Sequence, residues 1–280
     1  MARVLLVFAG MALLLFVFAA AIAGEKPGAF RPCVDPNNLP FSNAKGEGYE
    51  NRIAQLFAKS LGVPVKSYEI PMRMNFVRNS LRYKLPGEDY PCDVLMNVPV
   101  GFDQASVTQP YYRSTYVLVY ARGGKLDGVT SGEALFKTFP DAGNRPVIGI
   151  YDKSPASIWL ARHGWEEQAH VYRILSPDPE DYPGEIISHD LVQGRIDAAV
   201  VWGPIGGYFA KRADGKLAVV PLRSEPGIKF DYDMAMAVRY GDSDTKAVVE
   251  RLIVENRAAI TAILRDYHVP LLDERGQSME

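Results

Sequence analysis

An excess of positive charge is missing from this 280-residue chain: 31 Lys and Arg face 33 Asp and Glu, a net charge of −2. No basic field exists to hold a polyanion, and no Lys/Arg run interleaved with aromatics appears, so nucleic acid is set aside as a partner. Histidine is scarce as well. His163, His170, His189 and His268 are scattered without metal-ligand spacing, and neither cysteine stands in a CxxC or CxxH pair. The chain has no G-x-S-x-G elbow, no P-loop and no G-x-G-x-x-G after a strand, so catalytic and cofactor signatures are wanting. The expectation is a protein that is not an enzyme and carries no cofactor. Repeats and low-complexity tracts are also lacking. With 48% hydrophobic and 23% charged residues the composition is that of a folded globular chain.

One long apolar run is present, and it lies at the N-terminus. Arg3 precedes residues 4–18, apolar apart from Gly10, and Ala21-Ile22-Ala23 supplies small residues ahead of Gly24. This order is that of an export signal over residues 1–23. An uncleaved anchor is the competing reading, disfavoured by the small residues at its end and by the missing positive stop-transfer flank. No later stretch has spanning length, so the mature chain is expected in the periplasm with no membrane insertion. In that oxidising compartment the two cysteines, Cys33 and Cys92, favour a disulfide over a pair of buried free thiols. Both stand at or beside expected strands, 31–35 and 93–98, which would be neighbours in a parallel sheet.

Strand-like and helix-like segments alternate along the chain, which predicts α/β layers on a mainly parallel sheet. Helices are expected over 49–61, 74–83, 155–162, 185–193 and 204–212, and a long closing helix over 244–267 capped by Ser243 or Asp244. Strands are expected at 63–70, 115–120, 146–150, 171–175, 196–201 and 217–221, with an extended segment at 231–238. Residues 115–120 and 231–238 read as two crossings between lobes. The predicted division is 24–118 plus 232–280 for lobe one and 119–231 for lobe two, with a cleft between them.

Five ordered motifs carry a resemblance: "CVDPNNLPFSNAKGEGYENRIA" (33–54), "NFVRNSL" (75–81), "CDVLMNVPVGFD" (92–103), "QPYYRSTYV" (109–117) and "VVWGPIGGYFA" (200–210). The chain resembles the type II periplasmic solute-binding proteins, and within them the MxaJ/XoxJ-type subfamily associated with quinoprotein (PQQ-dependent) methanol dehydrogenases. The resemblance implies an α/β, two-lobed type II periplasmic solute-binding protein fold with two crossover hinge strands and an interlobe cleft. It implies a role beside methanol dehydrogenase subunits in assembly or activation, and leaves a small-molecule ligand in the cleft open. A transport receptor for a small organic solute is the alternative. Amino-acid binders of this class place an Arg after the third strand of lobe one, where this chain has Gly101-Phe102-Asp103-Gln104. They place an Asp where this chain has Trp202. A free amino acid therefore fits poorly.

Candidate cleft residues follow from position at strand ends, where ligands bind in open α/β sheets. Asp35, Asn37, Asn38, Phe41 and Ser42 form the loop after the first strand, which could equally be loop architecture. Tyr49 opens the next helix, where Glu50 reads as a complement to the macrodipole. Arg73 and Asn75 follow the second strand, and Phe102 and Gln104 the third. Tyr112 and Arg113 precede the first crossing, where hinge packing competes with ligand contact. Tyr151, Ser154 and Trp202 come from lobe two, with N-capping the plain alternative for Ser154. Asp178, Glu180 and Asp181 read as a solvated acidic loop.

Overall fold

A computed structural model describes residues 28–72, 75–174, 178 and 180–279. The apolar N-terminal run and Arg73 lie outside the described residues. No helix among the described residues is long and apolar enough to cross a membrane.

The first half of the sheet is built on β1 (Pro32–Val34), a fully buried strand. It pairs in parallel with β4 (Tyr68–Glu69) on one side and β5 (Val94–Pro99) on the other. A short hairpin, β2 (Asn37–Asn38) with β3 (Ser42–Asn43), follows β1. The second half is built on β7 (Ile148–Tyr151), parallel to β8 (Ala169–Tyr172) and β9 (Ala198–Trp202). Two long strands tie the halves together. β6 (Ser106–Ala121) runs 16 residues. Its first part pairs antiparallel with β11 (Asp231–Val238), and its last part pairs with β9 on one side and β10 (Leu217–Pro221) on the other. The strand order β4-β1-β5-β11-β6-β9-β7-β8 is thus one continuous path through two lobes. The segment expected at 115–120 is the last part of this longer strand.

Helices cover the sheet as their apolar stripes require. α1 (Tyr49–Leu61) turns Ile53, Ala54, Phe57 and Leu61 inward and stops at Gly62, whose φ of 69° is the left-handed cap conformation. α4 (Pro155–Arg162) and α5 (Gly203–Arg212) each begin with proline in the first turn. Other expectations are corrected. The helix expected over 74–83 is only α2 (Phe76–Asn79), because Asn75 is left-handed at φ 64° and the Ser80 hydroxyl donates back to the Phe76 carbonyl. The segment 185–193 contains a π-type turn, Ile186–Leu191, in place of a regular α-helix. α3 (Gly132–Thr138), capped by the Ser131 hydroxyl, was not expected.

The closing helix breaks in two, α6 (Ser243–Glu255) and α7 (Arg257–Asp266). The Asn256 side-chain amide donates to the Leu252 carbonyl, competing for an acceptor the helix uses, and its oxygen accepts from Ser60 on α1. The break keeps Val249, Leu252 and Ile253 and then Ile260, Ile263 and Leu264 all buried. The N-cap is Asp242, which accepts from the Thr245 N–H, and neither Ser243 nor Asp244.

Cys33 and Cys92 form a disulfide with Cα atoms 5.3 Å apart, inside a buried cluster with Leu81 and Leu95. A larger core runs without interruption from α1 through Tyr111, Tyr112 and Val117 of β6 to Ile205 of α5 and Leu271 of the C-terminal tail. At this junction the backbones touch. A Cβ on Gly207 would lie 1.9 Å from the His268 carbonyl oxygen, and one on Gly203 would lie 2.3 Å from that of Thr115. Tyr208 stacks on Tyr267 with ring centroids 5.8 Å apart, and the Ser114 hydroxyl donates to the Pro270 carbonyl. Lobe two is thereby pressed against the tail that closes lobe one.

Two outcomes are expected. Gly207→Ala should destabilise the protein by about 2 kcal/mol or more, since backbone must move to admit the methyl; urea unfolding of the variant measures it. Reduction of the disulfide, which closes a loop of 59 residues, should cost about 2–5 kcal/mol in the same assay.

Candidate functional site

The carboxyl ends of the strands in both lobes converge on one crevice. Two adjoining cavities occupy it and share Asp35, Asn38 and Met72 in their walls. The interlobe cavity, of 470 Å³, has Asn37 on the lobe-one side and Tyr116, Tyr151, Tyr172 and Trp202 on the other. The second, of 330 Å³, lies within lobe one, walled by Ser42, Glu50, Asn75, Asn97, Phe102 and Gln104 among others.

The loop after β1 is held by its own polar groups. The Asp35 carboxylate accepts from the backbone N–H groups of Asn37 and Met72, while the Ser42 hydroxyl donates to the Asp35 carbonyl and accepts from its N–H. Asn51 accepts from the N–H groups of Asn43 and Gly48, which pins the hairpin to the start of α1. Gly48 is required there: a Cβ would lie 2.1 Å from the Phe41 carbonyl oxygen. This close seat brings Glu50 to the cavity with 7% of its surface exposed.

The other wall is aromatic. The Trp202 ring packs on Tyr116 at 5.4 Å and Tyr232 at 5.9 Å between centroids. Tyr151 lies 6.1 Å from Tyr172 and donates to the Pro183 carbonyl. Burial pushes the Tyr116 hydroxyl up to about 12 and raises Tyr151 further, so both stay protonated and neutral at physiological pH. Across the cleft mouth the Asn37 amide donates to the Glu180 carbonyl at 3.0 Å. The acidic loop of lobe two therefore touches lobe one, with Asp181 in the cavity wall, and is not merely a solvated face.

Of the residues picked from sequence, Asp35, Asn37, Asn38, Ser42, Asn75, Phe102, Gln104, Tyr151 and Trp202 line one cavity or the other. Others stand elsewhere. Phe41 and Tyr49 are buried in the core beside one another. Tyr112 lies beneath the floor, donating to the Asn97 side chain and sharing a hydrogen bond with the Tyr49 hydroxyl. Arg113 pairs with Asp231 and lines a separate groove of 1110 Å³ together with α3 and the C-terminal tail. Ser154 is buried, lines neither cavity, and makes no capping bond. Sequence reasoning passed over Asn97, Tyr116 and Tyr172. Asn97 gave a signal, a lone amide inside the apolar run "VLMNVP".

Glu50 is the electrostatic anomaly of the site. Burial first, and the neighbouring Asp35 charge second, push its carboxyl from 4.5 up to about 8. Its role is therefore not that of an exposed charge complementing a helix dipole.

No family model matches the chain. Its sequence is 33% identical to the periplasmic binding protein XoxJ from Methylobacterium extorquens AM1, over 88% of this chain and all of that one, with a TM-score of 0.69. The chain belongs to the XoxJ-type periplasmic binding proteins. Protein MoxJ of Paracoccus denitrificans is 25% identical over 273 residues, 91% of this chain and 95% of its own length. MxaJ from Methlophaga aminisulfidivorans MPT shares the fold with a TM-score of 0.71 at 21% identity, covering 87% of this chain and all of that one. An ancestral cationic amino acid solute binding protein shares it at a TM-score of 0.62 and 19% identity. The fold of this XoxJ-type chain is thus the two-lobed type II one, with β6 and β11 as its crossover strands.

The raised carboxyl has a measurable consequence for stability. A carboxylate whose folded pKa lies above its unfolded value makes the folded state bind the extra proton, so stability falls as pH rises from about 4.5 to about 8. Glu50→Gln should flatten thermal stability over that window and exceed the native protein at pH 8 by an amount on the order of a few kcal/mol. Melting temperatures at pH 5, 6, 7 and 8 for both proteins test this; parallel curves would contradict it.

Proposed function

We propose that this chain is a non-catalytic periplasmic accessory protein of a quinoprotein methanol dehydrogenase system, assisting assembly or activation of the dehydrogenase. Residues 1–23 would direct export. Lobe one would comprise 24–118 plus 232–280, and lobe two 119–231. The observation that carries this reading is the similarity to XoxJ over 88% of this chain and all of that one.

Two structural features support it over a transport receptor. The positions where amino-acid binders hold charged clamps are occupied by Gly101–Gln104, without a cation, and by Trp202, whose ring packs on Tyr116 and Tyr232. The hinge region is also wedged. α5 meets the β6 backbone at Gly203 and the tail backbone at Gly207, and one apolar core spans both lobes. A receptor that signals occupancy by closing needs lobes that swing, and this contact opposes rotation.

The test is affinity capture with tagged mature protein from periplasmic extract of methanol-grown cells, with mass spectrometry of both proteins and extracted small molecules. Recovery of a dehydrogenase subunit, retained by Trp202→Ala, is expected. A stoichiometric solute with no dehydrogenase subunit, lost in Trp202→Ala, would instead establish the transport receptor.

A further inference from the structure

We propose that the cavity within lobe one receives a protonated amine, the ammonium end of a small organic cation or a lysine side chain of a partner, with the Glu50 carboxyl as its acceptor. Glu50 is more than nine-tenths buried, faces this cavity, and its carboxyl has no hydrogen bond to the described residues. Its neighbours are partly committed: Asp35 accepts from two backbone N–H groups, Ser42 exchanges hydrogen bonds with the Asp35 backbone, and the Asn97 oxygen accepts from Tyr112. Glu50 is the one acid of the wall, besides Asp35, and its carboxyl is held by none of them. Burying an unpaired carboxyl costs stability that a Leu at this position would not.

The surroundings choose the sign of the guest. Asp35 at the end of β1 is the charged group that acts on Glu50, and Tyr49 on its own helix with Tyr111 and Tyr112 on β6 feel the Glu50 charge in turn. None is a cation. No Lys, Arg or His is among the described residues in the cavity wall. Among the described residues of the wall a carboxylate guest would meet two acids and no base. The cavity also has apolar walls, Val77, Leu95 and Phe102 among them, and no cluster of three metal-ligating side chains exists among the described residues. These walls suit the carbon stem of an alkylammonium better than a hydrated metal ion. A volume of 330 Å³ accommodates such a head and stem without movement of either lobe.

Entry of the amine has a proton balance. With its carboxyl pushed up to about 8, Glu50 holds a proton at neutral pH while the cavity is empty. An incoming ammonium stabilises the carboxylate, so that proton leaves to solvent as the ion pair forms. Affinity should rise about tenfold per pH unit below 8 and level off above it.

The experiment is isothermal titration calorimetry of the full mature protein with butylammonium, with Nα-acetyl-lysine amide, and with 1-butanol, at pH 7 in phosphate and in MOPS, Tris being itself a protonated primary amine. Saturable binding of one or both amines, none of the alcohol, and release of close to one proton are expected. Glu50→Gln should weaken amine binding at least about tenfold and abolish the proton release; its melting curve shows that it is folded. Butylammonium alone binding would point to a free small amine, and the lysine derivative alone to a partner side chain. Failure of both amines to saturate by about 20 mM, or equal binding by Glu50→Gln, would overturn the proposal.

Discussion

The contact on which the molecule depends is the one between α5 and the end of the chain, made possible by glycine at 203 and 207. There the first turns of a lobe-two helix lie directly on the backbone of β6 and of the tail following α7. β6 alone would join the lobes as a bendable ribbon. With α5 and the tail packed against it, and with Tyr208 stacked on Tyr267, the same strand becomes the spine of a continuous apolar core. Bending it would open well-packed surface, which protein interiors resist. The crevice is framed by a polar loop from lobe one and an aromatic wall from lobe two, and this packing opposes its opening and closing.

That geometry divides the crevice by chemistry. The interlobe part is lined by tyrosines and Trp202, groups that offer area and neutral hydrogen bonds. The lobe-one part is small, acidic at its floor, and apolar at its sides. The strand-end crevice of a solute-binding scaffold is thus present, with Trp202 in its aromatic wall and Phe102 and Gln104 in its lobe-one wall. A chain of this kind can serve as a rigid surface for a larger partner.

Much of this was legible in the sequence, and the reasons are local. Helix α1 is marked by its apolar stripe and Gly62, α4 and α5 by proline in the first turn, and β10 and β11 by β-branched and apolar runs. The pairing of Cys33 with Cys92 followed from the expectation of an oxidising compartment and from two cysteines beside neighbouring strands. What escaped depends on contacts remote in sequence. Asn256 interrupts the last helix while bonded to Ser60 on α1, a partner no helical periodicity reveals. Glu50 looked like an exposed helix-start acid; only the hairpin folding back over Gly48 buries it. Tyr112 and Arg113 are adjacent on one strand, so they point to opposite faces, and neither reaches the crevice.

Small-angle X-ray scattering shows whether the α5–tail contact fixes the crevice. The radius of gyration of the native protein would be compared with and without saturating periplasmic small-molecule extract, and with that of Gly207→Ala. The account predicts one unchanged value for the native protein in both conditions, and a larger one for the variant. Compaction of the native protein on adding the extract would contradict it and restore the picture of two lobes closing on a solute.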